Sequence, residues 1–142
     1  MQKIDEVILF QIDLTSKVSK QYSQKQFDSL KLGITVEQWV ILKIVWENAK
    51  LSQKELAIKS YRDPASITRT IDLLEKKELV IRESIPNNRR AYEISLTSKG
   101  EKFITDNINT VKKHRALSIK GLTNEDLDTL SGLLSKIREN MK

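Results

Sequence analysis

The order of sequence signals predicts a mainly α-helical chain with one small β-hairpin, framed at both ends by long amphipathic helices. Three observations carry this. Two helix starts lie close together, at Ser52-Gln53-Lys54-Glu55 and at Asp63-Pro64. A strand-like stretch, Val80 to Ile85, is followed by a polar loop, Pro86-Asn87-Asn88-Arg89-Arg90, and a second strand, Ala91 to Leu96. Both end segments repeat apolar residues at helical spacing. Helix, turn, helix and a hairpin with a basic tip is the order of a winged helix-turn-helix, here with N- and C-terminal helices suited to dimerisation.

Each element follows from its residues. Over residues 3–29, Ile4, Val7, Ile8, Leu14, Val18 and Tyr22 recur at three, four or seven residues, while Leu9, Phe10 and Ile12 lie off that stripe. A lone surface helix needs one apolar face; two point to burial against a second chain. Leu32-Gly33-Ile34 breaks the helix, and Thr35-Val36-Glu37-Gln38 has the pattern of a capping box. The next helix carries Trp39, Ile41, Leu42, Ile44, Val45 and Trp46 and is expected to form the centre of the core, with both tryptophans packed there. Ser52 to Glu55 is a second capping box, with Leu56 and Ala57 facing inward. Asp63 suits an N-cap and Pro64 the first helical position. On the helix that follows, to Lys77, Ile67, Ile71 and Leu74 form one apolar stripe. Ala65, Arg69, Asp72 and Lys76 fall on the opposite side, with Ser66 and Thr68 on the flanks. In the second strand Tyr92, Ile94 and Leu96 alternate with Glu93 and Ser95. Thr97 caps a helix over roughly 98–117 whose inner side holds Phe103, Ile104, Ile108 and Val111. Gly121 and Thr123 separate it from a last helix with Leu127, Leu130, Leu134, Ile137 and Met141 at three-four spacing, widened by Leu133.

The chain of 142 residues is read as one domain, 1–142, with dimerisation helices over 3–29 and 98–142 and a DNA-binding region over 35–97. Its charged content of 31% exceeds the roughly 25% usual for globular chains, as solvated helices require. The net charge is +6, and residues 50–92 hold ten bases against six acids, so most of the excess lies on the winged segment. Such a surface attracts a polyanion through counterion release. There is no cysteine, which removes disulfides, zinc fingers and thiol switches, and the single histidine, His114, speaks against a metal site. No cofactor is expected. No apolar run approaches the roughly 18 residues of a membrane span, and the acidic start Met1-Gln2-Lys3-Ile4-Asp5-Glu6 is unlike a signal peptide, so a cytoplasmic protein away from the membrane is expected.

With this order in place, the chain resembles the MarR-type regulators, the multiple-antibiotic-resistance repressors. The resemblance is carried by Ser66-Ile67-Thr68-Arg69, Asp72-Leu73-Leu74-Glu75-Lys76-Lys77, Leu79-Val80, Arg89-Arg90 and Leu96-Thr97-Ser98-Lys99-Gly100, and the helical order extends it over essentially the whole chain. Two positions depart from the family pattern. Glu78 stands where a glycine usually follows the Lys-Lys pair, and Asn88 where an aspartate usually precedes the arginine pair. A left-handed Glu78 would cost roughly 1 kcal/mol.

The resemblance implies a recognition helix entering the major groove by its N-terminal half. There Ala65 can touch a thymine methyl, Ser66 and Thr68 can bond phosphates or base edges, and Arg69, held by Asp72, can reach a guanine or a phosphate. Arg62 suits a phosphate contact. Arg89 is similar to the family arginine that enters a narrow minor groove, and Arg90 suits the same task or the sugar-phosphate wall. The resemblance also implies a cleft for a small aromatic or anionic effector, for which Phe10, Tyr22, Trp39 and His114 are candidate linings. The leading expectation is a homodimeric repressor of a pseudo-palindromic operator in double-stranded DNA, released by an effector. The alternative is a winged-helix protein-interaction module, against which the basic wing argues. Neither an activated nucleophile nor a carboxylate pair is present in the pattern, so no enzyme is expected.

Overall fold

A 3-10 turn at Ile4–Glu6 opens the chain, and extended Val7 (φ −76°, ψ 122°) separates it from helix α1, Ile8–Ser29, so the expected helix over 3–29 is interrupted near its start. Helix α2 (Val36–Glu47), strand β1 (Leu51–Ser52), helices α3 (Gln53–Ser60) and α4 (Pro64–Lys76), strands β2 (Val80–Ile85) and β3 (Asn88–Leu96), and helices α5 (Ser98–Ser118) and α6 (Asn124–Asn140) follow. This computed structural model describes residues 1–142 apart from the side chain of Arg89. The chain divides into two compact units, Met1–Thr110 and Val111–Lys142.

Helix starts fall where short polar side chains capture free amides. The Thr35 and Ser52 hydroxyls accept the Gln38 and Glu55 amides, and each partner side chain accepts the cap residue's own N–H, which completes both capping boxes. Thr123 and Asp126 form a third, at the start of α6.

In the first unit Ile41, Leu42, Leu56, Ile67, Ile71, Leu74, Ile94 and Ile104 are fully buried. They come from α2, α3, α4, β3 and α5, so α4 is fastened to the core along one side. Trp39 is buried with its ring edge-on to Phe27 (centroids 5.9 Å apart, planes at 82°) and 6.1 Å from Phe103. Trp46 departs from expectation. It is 38% exposed, with the Lys43 ammonium 4.6 Å from the ring centroid. It lies two turns beyond Trp39 on nearly the same side, one residue from the end of α2.

The sheet has three antiparallel strands in the order β1-β3-β2, one more than the hairpin expected. The added strand is short: Leu51 pairs with Ile94 and Ser52 with Glu93. It seats β3 between the start of α3 and β2, with Leu51 buried. Register runs from Val80↔Leu96 to Ser84↔Tyr92 and then jumps to Ile85↔Asn88. The expected five-residue loop is therefore shorter. Asn87 takes a left-handed conformation (φ 67°) and turns the chain beside Pro86, Asn88 already pairs, and the basic positions fall in a bulge of β3.

Both units expose apolar side chains. Ile4, Ile8, Leu9, Leu14 and Val18 are exposed on the first, and Leu117, Ile119, Leu122, Leu130 and Leu133 on the second. Of the α6 stripe, Leu127, Leu134 and Ile137 are half-buried and Leu130 and Met141 exposed.

Candidate nucleic-acid interface

Helix α4 is held at both ends and open along one side. At its start the Asp63 carboxylate accepts the Ser66 amide at 2.9 Å, and Pro64 sits in the first turn, where its missing N–H costs nothing. Its inner side is buried, whereas Ala65, Thr68, Arg69, Asp72 and Lys76 are exposed and Ser66 is half-buried. This reproduces the partition expected from helical spacing. Among the described residues Arg69 makes no ion pair, and its guanidinium is free to meet a ligand. Asp72 does not hold it, contrary to expectation. Asp72 lies 2.8 Å from Nη2 of Arg82 on β2.

The end of α4 is locked by the segment leaving the wing. Glu78 is left-handed (φ 62°), and the last turn closes through Glu78 N–H to Glu75 O at 2.9 Å and Leu79 N–H to Leu74 O at 3.0 Å. This is a Schellman closure with glutamate in the position that favours glycine. Neighbours hold it in place. The Thr97 hydroxyl donates to Glu78 O at 2.6 Å, Thr97 N–H donates to Leu79 O at 3.2 Å, and Lys99 Nζ donates to Lys77 O at 3.1 Å. Gly100 N–H then donates back to the Thr97 hydroxyl at 3.0 Å. A Cβ on Gly100 would stand 2.0 Å from Leu79 O, so only glycine lets α5 start this close to the end of α4. The Leu96-Thr97-Ser98-Lys99-Gly100 exit is thus a clamp on α4.

Arg82 ties the wing to the same helix. Its Nη1 lies 3.9 Å from a Glu75 carboxylate oxygen, its backbone N–H donates to Glu75 Oε2 at 3.3 Å, and its guanidinium stands 5.4 Å from the Tyr92 ring centroid. With a side chain only 17% exposed it is better shielded than an ordinary surface ion pair. At the tip the Asn88 carbonyl oxygen accepts the Arg90 amide at 3.3 Å, so it braces backbone and leaves the exposed Arg90 side chain without an ion pair among the described residues. The Arg89 side chain lies outside the described residues.

Between α3, the turn into α4 and β3 lies an open groove of about 840 Å³ whose walls include Gln53, Lys54, Tyr61, Arg62, Arg90 and Tyr92. Arg62 is not a free cation there. Its Nη2 lies 2.9 Å from the Glu37 carboxylate, which Lys20 also approaches at 3.3 Å. The Arg62 hydrogen bond holds the Glu37 carboxyl below its usual range; partial burial opposes this, and the charges of Arg62 and Lys20 add to the lowering. Tyr61 takes a left-handed conformation (φ 56°) in the turn and is 94% exposed. Sequence reasoning missed Gln53, Tyr61 and Arg82. The partners of Gln53 and Arg82 lie fifteen and ten residues away on other elements, where no spacing rule reaches.

The four candidate effector linings are dispersed in role. Phe10 and Tyr22 are half-buried on α1, Trp39 belongs to the aromatic core of the first unit, and His114 is half-buried in the second. Among the described residues no cluster of three metal-ligating side chains forms, and no helix is long and apolar enough to cross a membrane.

Residues 34–92 match the MarR family. Solved MarR-family structures superpose over nearly its whole length. The regulator BpsR of Bordetella bronchiseptica, whose DNA binding is regulated by 6-hydroxynicotinic acid, gives a TM-score of 0.86 at 17% identity over 97% of each chain. A cysteine-to-serine variant of MarR from E. coli, solved with operator DNA, gives 0.83 at 24% identity over 96% of this chain and 99% of that one. The transcriptional regulator SlyA gives 0.81 at 24% identity over 94% and 93%. At these identities the likeness is one of fold. The matched span of 34–92 runs from the start of the core helix α2 into the wing.

Proposed function

We propose that this protein is a MarR-family regulator, a homodimeric, sequence-specific DNA-binding transcriptional regulator, and that it represses its target until a small aromatic or anionic effector lowers its affinity for DNA. The observation that carries the reading is the state of α4. Its N-terminal half presents Ala65, Ser66 and unpaired Arg69 outward, while its far end is clamped by Thr97 and Gly100 and its flank is tied to the wing by Arg82. A rigid helix with a small-residue start and a free guanidinium suits a major groove. Arg90, and Arg89 by its place in sequence, suit the adjacent minor groove or backbone.

The dimer follows from the exposed apolar side chains of the terminal segments, which an isolated chain would leave in water. Two-fold symmetry then sets two recognition helices against half-sites about one helical turn apart. An effector acts only through unequal affinity for dimers of different spacing, so it lowers DNA affinity by that same preference. The test is selection of duplexes from a randomised pool, followed by titration at several salt concentrations and light scattering of the free protein. Expected are a dimer, a pseudo-palindromic consensus and an affinity that falls steeply with salt. A monomer at micromolar concentration, or no enrichment of any sequence, overturns the reading. Screening aromatic carboxylates against the selected complex tests the effector step, and release by none of them would remove it.

A further inference from the structure

Thr68 is exposed on α4, and its one hydroxyl proton is already spent. A threonine hydroxyl has one proton and two lone pairs. Here Oγ1 donates that proton to the Pro64 carbonyl, four residues back, at 3.0 Å. It also accepts a hydrogen bond from the Gln53 side-chain amide at 2.8 Å. Turning the Gln53 amide end for end would not release the proton, because it would then go to the Gln53 oxygen. Gln53 opens α3 and reaches across the turn to α4, so one helix of the pair sets the side-chain state of the other. A threonine whose oxygen is bonded back to the helix has its methyl in another staggered position. With no proton left to donate, the exposed side chain offers a ligand that methyl and one acceptor lone pair. Ser66, two residues earlier, is the reverse. Its backbone amide is capped by Asp63, but its hydroxyl has no partner among the described residues.

We infer that Thr68 reads the C5-methyl group of a thymine with its own methyl, that Ser66 supplies the neighbouring hydrogen bond, and that Gln53 is a positioning residue that fixes this division. The inference rests on the DNA-binding reading above. The thymine methyl is the one apolar group on the major-groove edges of the bases, and a methyl partner suits it where a hydrogen-bonding hydroxyl does not.

The test uses the full-length protein and a duplex it has itself selected, with each thymidine replaced singly by deoxyuridine, which lacks only the methyl. At one position per half-site the wild-type protein is expected to lose about four-fold in affinity, the worth of one buried methyl-sized group. Thr68→Ser keeps both hydrogen bonds and removes the methyl. It should bind the parent duplex about sixteen-fold more weakly, about four-fold for each protomer of the dimer, and show no further loss on the deoxyuridine duplex. Thr68→Val keeps the methyl and should retain the deoxyuridine effect. Gln53→Ala should reduce that effect while its melting temperature stays within a few degrees of wild type, an outcome a merely structural glutamine would not give. The inference is overturned if no thymidine is sensitive to the exchange. It is equally overturned if Thr68→Ser keeps the full effect, or if Thr68→Val abolishes it. A wild-type protein that selects no duplex at all refutes the DNA-binding reading instead, so the two failures are told apart.

Discussion

Gly100→Ala sets two physical effects of opposite sign against each other. Gly100 lies in the first turn of α5, and helix propensity alone would make alanine there more stable by about 1 kcal/mol. The geometry opposes this. The new Cβ would meet Leu79 O at 2.0 Å and the Leu79 carbonyl carbon at 3.0 Å, whereas ordinary contact begins near 3.4 Å. Backbone must therefore move by more than an ångström. The atom in the way is the one that accepts Thr97 N–H, and its neighbour Glu78 O accepts the Thr97 hydroxyl. Losing both hydrogen bonds costs about 1 kcal/mol each, and overpacking adds roughly 1–3 kcal/mol. After the propensity gain the variant should be less stable by about 2–4 kcal/mol. At roughly 3 °C per kcal/mol for a chain of this size, the melting temperature should fall by about 6–12 °C, read by circular dichroism at one fixed protein concentration. Gly132→Ala is the internal control. Gly132 lies within α6 and a Cβ there meets nothing within 4 Å, so the melting temperature should rise by a few degrees. A Gly100→Ala protein that melts at or above the wild-type temperature would refute the clamp.

Two further outcomes follow from the ion pairs. Arg82→Met keeps the apolar stem and removes the charge between wing and recognition helix. It should cost about 1 kcal/mol and weaken DNA binding several-fold, and a double-mutant cycle with Asp72→Asn should return a coupling of about 1 kcal/mol, with zero coupling counting against the tie. Glu37 has a lowered pKa in the folded state, so its contribution is present above its unfolded value near 4.5 and lost as the pH falls through the folded value. Glu37→Gln should therefore flatten the acid side of the stability profile below about pH 4.5, and parallel profiles for the two proteins would exclude the Glu37–Arg62 pair as a source of acid sensitivity.

Local signals proved legible because their causes are local. The capping boxes at Thr35 and Ser52, the Asp63-Pro64 start and the Ile67, Ile71, Leu74 stripe all act within one helical turn, and each appears as the spacing predicts. The Leu-Thr-x-Lys-Gly run was visible as a pattern, but its work was not. Thr97 and Gly100 act on Glu78 and Leu79, across the whole length of the hairpin. The same distance explains the misplaced partner of Asp72. Helical spacing offered Arg69 three residues before it, while β2 brought Arg82 against it with a side chain already shielded by Tyr92. Arg62 was correctly placed at the entrance to the recognition helix, yet nothing near it in sequence announces Glu37, twenty-five residues earlier on α2.

The sequence by itself determined the main helices and the two strands of the hairpin, the capped starts at Thr35, Ser52 and Asp63, and which side of α4 faces outward, since periodicity and capping depend on neighbours along the chain. Tertiary structure decided which polar groups remain available on that outward side: Arg69 without an ion pair among the described residues, the Thr68 proton given to Pro64 while Gln53 donates to its oxygen, Asp72 taken by Arg82. A charged or hydroxyl side chain has few bonds to give, and the partner that claims them is chosen by proximity in space, which the packing of α3, α4 and the wing brings about.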